Sequence, residues 1–355
     1  MWKLDYQIRR HTKPINSVAV SNDMKIIMTA SDDHTIGIFD RENQDNDIIE
    51  AHEAPITDIK ISPDGTLFAT ASTDRTTKLW NFSTKETIFT TKTHKQSVSC
   101  VSWFQDSSKI ATGSHDGSVI LWDTKECERL LIMNGINGWV NDVQVYGDLV
   151  AMAGNDRNII IYDQRTGKPA QKISTRTETD ISSLSFHHLG SCLAASSNDN
   201  KIRMFDLRTT NIVRRQRAHC EGITRVSFNP NTDDYLTVSK DGFVRLWSLK
   251  SSDIITSFQQ HDSGVNNVTW CSDGKHFATC GDDRKICVWY QSMENEEDFD
   301  GGDVLSSLNT IQQQLRVLTS AMKRLDERLL IQEGKVRFLQ DIDRPIAKAY
   351  LRASK

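Results

Sequence analysis

Three times along the chain a histidine, a serine, an aspartate and a tryptophan recur in one spacing: His52, Ser72, Asp74, Trp80; His94, Ser114, Asp116, Trp122; and His219, Ser239, Asp241, Trp247. Those residue types could do nucleophilic acyl chemistry. The aspartate would orient the imidazole, the imidazole would take the serine proton, and the serine oxygen would attack a carbonyl. Such an enzyme needs one set, open to a pocket and facing an oxyanion hole, whereas this chain carries three equivalent ones. The histidine and aspartate also recur as His11/Asp33, where Ser31 is kept but the tryptophan is lost, and as His261/Asp283, without the serine, again 22 residues apart. Repetition on that scale points to scaffold. A buried hydrogen-bond network is expected in each copy, with the aspartate accepting from the imidazole and from backbone amides. Serine and the indole N–H of Trp80, Trp122, Trp247 or Trp289 are expected to complete it.

Two further copies keep the aspartate and lose the histidine, at Asp156 and Asp199. The seven aspartates stand 41, 42, 40, 43, 42 and 42 residues apart. A fixed period of about 40–45 residues is the mark of WD40 propeller blades. The expected fold is therefore all-β, a seven-bladed WD40 propeller over residues 1–290. The second copy shows the four-strand pattern, with apolar runs at Ile56 to Ile61, Leu67 to Ala71, Thr77 to Phe82 and Thr87 to Thr91, and Pro63-Asp64-Gly65 at a turn. The last copy runs out at Trp289-Tyr290 without an outer strand. Residues 3–9 are expected to supply it and so close the ring, which protects sheet edges. Some copies are eroded: Phe39 stands for the tryptophan in the first and Gly281 for the serine in the last.

Composition narrows the function classes. A net charge of −4 argues against a globally basic nucleic-acid binder. The seven cysteines form no CxxC pair, which suits reduced thiols better than disulfides or a zinc site. Met1 to Tyr6 has no apolar signal core, and no 18-residue apolar run occurs. A soluble intracellular protein without cofactor, metal, membrane or small-molecule substrate is expected, and not an enzyme. His187-His188 falls where other copies have turns and reads as a solvated loop.

After Tyr290 the composition changes. Residues 291–303 hold six acids and two glycines and read as a linker. Residues 304–342 then carry a heptad pattern and 343–355 a basic tail. The seam is Leu308, Ile311, Leu315, Leu318, Met322, Leu325, Leu329, Val336 and Leu339, with Gln332 as a polar break. This pattern predicts a C-terminal α-helical coiled coil that pairs two copies, with a helix docked on the propeller side as the alternative.

Those pieces together resemble the proteome-of-centriole protein 1 family of centriolar WD40 proteins. The resemblance is carried by Gln314-Leu315-Arg316-Val317-Leu318-Thr319, by Leu325-Asp326-Glu327-Arg328-Leu329, and by Ile136-Asn137-Gly138-Trp139-Val140. The short linker and the eroded first, fourth and fifth blades depart from it. The resemblance implies a structural component of centrioles, basal bodies and the flagellar or ciliary base, in the cytoskeleton, with tubulin or microtubule-wall proteins as neighbours. The alternative is a substrate receptor of a cullin-type ubiquitin ligase, suggested by Asp163-Gln164-Arg165 and Asp206-Leu207-Arg208.

Candidate partner-binding residues follow from chain position. Trp139 precedes the inner strand of the fourth blade, where it reads either as a binding anchor or as filler for the missing histidine. Arg214, Arg215 and Arg217 fall on an outer strand, with Arg165 in the preceding connection. They suit either an acidic tubulin surface or an edge strand protected by charge.

Overall fold

The computed structural model describes residues 1–43 and 46–292. Among them all twenty-eight regular elements are strands, arranged as seven antiparallel four-stranded sheets. Each sheet is one blade of a WD40 propeller, with strands a to d running outward from the axis. The inner a strands are Ile15–Val20, Ile56–Ile61, Val98–Trp103, Val140–Tyr146, Ile181–Phe186, Ile223–Phe228 and Val265–Trp270. Six blades are built from consecutive strands, and the seventh borrows its outermost strand from the other end of the chain. Trp2–Ile8 pairs antiparallel with Ile286–Gln291, Leu4 opposite Trp289 and Ile8 opposite Ile286. Gln291, the first residue of the expected linker, instead ends the last strand opposite Trp2; the remaining linker from 293, the expected coiled coil and the basic tail lie outside the described residues.

Burial follows the strand pattern. In the b strands four or five consecutive residues are buried, as in Leu67–Ser72 and His276–Gly281, because both sheet faces pack on neighbouring blades. The outer strands alternate instead: in Ile212–Arg217, Val213, Arg215 and Arg217 face solvent. Core clusters are shared between neighbours; for example Met28, Ile36 and Ile38 of blade one pack with Ile56, Ile59 and Phe68 of blade two.

A ring of side-chain hydrogen bonds ties the blades near the axis. In every a strand a β-branched apolar residue is followed by Asn, Thr or Ser. That side chain donates to the backbone carbonyl of the first inner-strand residue of the next blade. Asn16 reaches Ile56, Thr57 reaches Val98, Ser99 reaches Val140, Asn141 reaches Ile181, Ser182 reaches Ile223 and Thr224 reaches Val265. The seventh bond, Asn266 Nδ2 to Ile15 O at 3.0 Å, closes the circle between blades seven and one. A second side-chain link there joins Asn267 Nδ2 to Ser17 Oγ at 2.9 Å.

Candidate functional site

The alternation of turns gives the ring two faces. One carries the d–a and b–c turns, the other the a–b and c–d turns. All five His–Asp pairs lie on the first. In blade two His52 Nδ1 stands 2.8 Å from Asp74 Oδ2, and Nε2 stands 2.8 Å from Thr70 Oγ1, which also accepts the Trp80 indole N–H at 3.0 Å. The proton order follows from the donors: indole N–H to threonine, threonine O–H to His Nε2, and His Nδ1–H to the carboxylate. Blades three and six repeat it through Thr112 and Thr237, blade seven through Thr279, and blade one through Thr29 without the indole.

This corrects the sequence-based expectation in one respect: the tryptophan bonds threonine, and serine takes a different task. Ser72 Oγ donates to the carbonyls of Ala54 and Pro55 and accepts the Asp74 amide, so it pins the two turns together. The threonine was readable as a residue 18 positions after each histidine. No serine hydroxyl of these sets bonds the imidazole, which leaves the triad chemistry without its nucleophile–base contact.

The electrostatics suit a closed structural network. Burial holds His94 and His219 below the ordinary histidine range. Burial pushes Asp116, Asp241 and Asp283 upward, but hydrogen bonds from Ser118, His219 and His261 respectively outweigh it and keep each carboxyl below the usual range. Asp33 and Asp74 are held down in the same way by Thr35 and His52. Replacing Thr237 with valine would leave the His219 Nε2 and the Trp247 N–H buried without partners. A loss of about 2–4 kcal/mol is expected, read as a lower urea midpoint, with Thr237→Ser close to the parent. A Thr237→Val midpoint equal to the parent would refute the network.

The two eroded blades solve the missing histidine differently. In blade five Thr177 stands at the histidine position and Ala195 at the threonine position, which leaves a space beside Asp199 that Arg203 fills. Its guanidinium meets Asp199 at 2.5 and 3.2 Å, and the residue has no exposed surface. In blade four Tyr162 Oη instead donates to the Asn134 carbonyl, and Asp156 accepts from the Asn158 amide at 3.1 Å.

Trp139 does not fill the gap in blade four. It is 50% exposed on the first face, and its ring stacks on His115 of blade three with centroids 4.5 Å apart and planes at 14°. Its carbonyl accepts the Asn155 amide and lies 1.8 Å from where a side-chain carbon on Gly154 would sit, so glycine is required at the usual serine position.

The basic residues divide. Arg165 folds back on Asp163 and Asp148, at 2.9 and 3.4 Å. Arg214 points to blade six and donates to the Leu249 carbonyl at 2.8 Å, whereas Arg215 and Arg217 are exposed. Of the two Asp-x-Arg sequences, the first thus has its arginine engaged within the motif. In the second, Asp206 and Arg208 border a groove with Cys192, Val213 and Leu249.

The expectation of a solvated loop at His187-His188 is overturned. His187 is buried and packs edge-on against Phe228, because the turn folds over the blade five–six boundary.

These features are those of a WD40 β-propeller, and comparisons with known proteins agree. Residues 2–40 and 44–81 match the WD domain, G-beta repeat. Among curated relatives, a B-type cell cycle switch protein ccs52A of Medicago truncatula is 25% identical over 134 residues, 38% of this chain and 28% of that protein. The APC/C activator protein CDC20 of Saccharomyces cerevisiae is 23% identical over 159 residues, 44% of this chain and 26% of the relative. Mitochondrial division protein 1 of Candida glabrata is 25% identical over 187 residues, 44% of this chain and 26% of the relative. The chain thus spans little more than a quarter of the length of these relatives. Residues 90–292, more than half of the chain, match the model described as Nucleolar protein 10-like, N-terminal domain, and the chain belongs to that family of β-propellers.

Proposed function

We propose that the protein is a non-enzymatic scaffold that recognises a protein partner through the rim around Trp139. The observation that carries the reading is the half-exposed indole stacked on His115, a rigid aromatic surface on two adjoining blades. The one hydrogen bond described for Trp139 is to its backbone carbonyl, which alanine keeps, so Trp139→Ala is expected to melt with the parent while partner capture falls at least about tenfold, the scale of an interface anchor. Capture at parental strength by a folded Trp139→Ala would refute the assignment.

The finer reading places this scaffold at centrioles, basal bodies and the base of the cilium or flagellum. Tubulin or a microtubule-wall protein would be the propeller's partner, with self-association through 304–340. Its support is the likeness in 136–140 and 308–336, together with the exposed Arg215 and Arg217, which suit an acidic surface. Two heads joined through a helix would gain avidity for a repetitive wall. Super-resolution imaging of the tagged chain against tubulin tests it: discrete, detergent-resistant signal at centrioles supports the reading, and a diffuse signal overturns it.

A second reading is favoured by the relatives, two of which are named as an activator or a subunit of the anaphase-promoting complex. The propeller would then present substrates within a large assembly, or serve a cullin-type ligase through Asp206-Leu207-Arg208. Co-purification with such an assembly, lost in Arg208→Ala, would support it.

A further inference from the structure

His187 and His188 lie on the a–b turn of blade five and Asp233 on the a–b turn of blade six, on the face opposite Trp139. One ring nitrogen from each histidine and a carboxylate oxygen of Asp233 all lie within 4.8 Å of one another. His187 Nε2 stands 3.2 Å from Asp233 Oδ1. Donors sharing a tetrahedral zinc ion at ~2.0–2.1 Å are about 3.4 Å apart, so this pair already has the required spacing. Nδ1 of His188 is buried without a hydrogen-bond partner among the described residues, so its lone pair or proton is not committed elsewhere.

We infer that these three side chains form a binding site for a divalent zinc-type cation that clamps blades five and six. Imidazole and carboxylate donors suit that class of ion, and three protein ligands leave one position for water. The frame is built from three blades. Tyr146 Oη of blade four donates to the His188 carbonyl at 3.3 Å, and its ring stands where a side chain on Gly190 would project. The Asp233 carbonyl accepts the Leu249 amide at 3.1 Å. Lys250 stands 3.2 Å from Asp233 Oδ2, leaving Oδ1 for the ion.

Binding requires one proton to move. The Leu189 amide donates to His187 Nδ1 at 3.3 Å, so the neutral ring carries its proton on Nε2 toward Asp233. When Nε2 coordinates the ion, that proton moves to Nδ1 and the long bond from Leu189 is given up. The imidazole stays neutral and the turn adjusts locally.

The site is tested on the full chain with Zn²⁺ by titration calorimetry and thermal melting. One ion per chain and a raised melting temperature are expected. His188→Ala should weaken binding at least about tenfold, the least expected from losing a direct ligand, and melt like the parent without metal. Asp233→Asn provides the second variant should His188→Ala fail to fold. Cys220→Ser, which alters the exposed thiol, should leave binding unchanged. Undiminished binding in a folded His188→Ala or Asp233→Asn chain, or no saturable binding below about 1 mM, would overturn the inference.

Discussion

Removing residues 1–9 is expected to lower the melting temperature by about 10 °C or more. The deleted segment is the outer strand of blade seven and carries four partly buried apolar side chains, Trp2, Leu4, Tyr6 and Ile8. Trp2 packs on Phe277 and Trp270, with centroids 5.2 and 5.8 Å away. Tyr6 and Ile8 pack against a cluster spanning blades seven and one, including Ile15, Ile27, Ala278 and Val288. Burial has lifted the Tyr6 hydroxyl to about 12. Burying four such side chains even partly contributes roughly 5 kcal/mol, and at about 2 °C per kcal/mol for a domain of this size that reaches the stated drop. Deletion also bares the edge of Ile286–Gln291, so aggregation on heating should accompany it. A truncated chain that melts with the full one would mean that the ring holds without its strand closure.

Arg203→Ala should cost about 3–5 kcal/mol, the usual penalty for stranding one partner of a buried ion pair. Asp199 would keep its amide from Lys201 and its bond from Ser197, but would lose both guanidinium contacts. Burial raises its pKa, and the guanidinium bond leads the contacts that bring it below the usual range. Changing both residues together, as Arg203→Met with Asp199→Ala, should cost less than Arg203→Ala alone, because no charge is then left unpaired. Equilibrium urea denaturation of the three chains reads the difference. A single variant as stable as the parent would show that Asp199 does not need the arginine.

The comparison of blades two and five shows how far a sequence can be read. In blade two, His52, Thr70, Asp74 and Trp80 recur at spacings shared with other copies, so periodicity alone announces the network. In blade five the histidine, threonine and tryptophan positions hold Thr177, Ala195 and Phe205. The replacement partner, Arg203, occupies a position where Lys78 and Arg245 turn outward to the Ala51 and Ala218 carbonyls. Only packing decides which way that side chain turns. The inner-strand Asn, Thr and Ser residues were equally periodic, yet their acceptors belong to the next blade, and a strand pattern reports faces rather than partners.

By itself, then, the sequence determined the seven-fold all-β ring, its strand order and the five His–Asp staples, because each depends on local alternation repeated at a fixed period. The tertiary structure decided what no period encodes. It set Trp139 on His115, turned Arg203 inward, and drew His187, His188 and Asp233 together across two blades. The first and last of these join turns 24 and 46 residues apart on neighbouring blades, the second joins residues four apart, and the geometry of all three depends on how side chains pack.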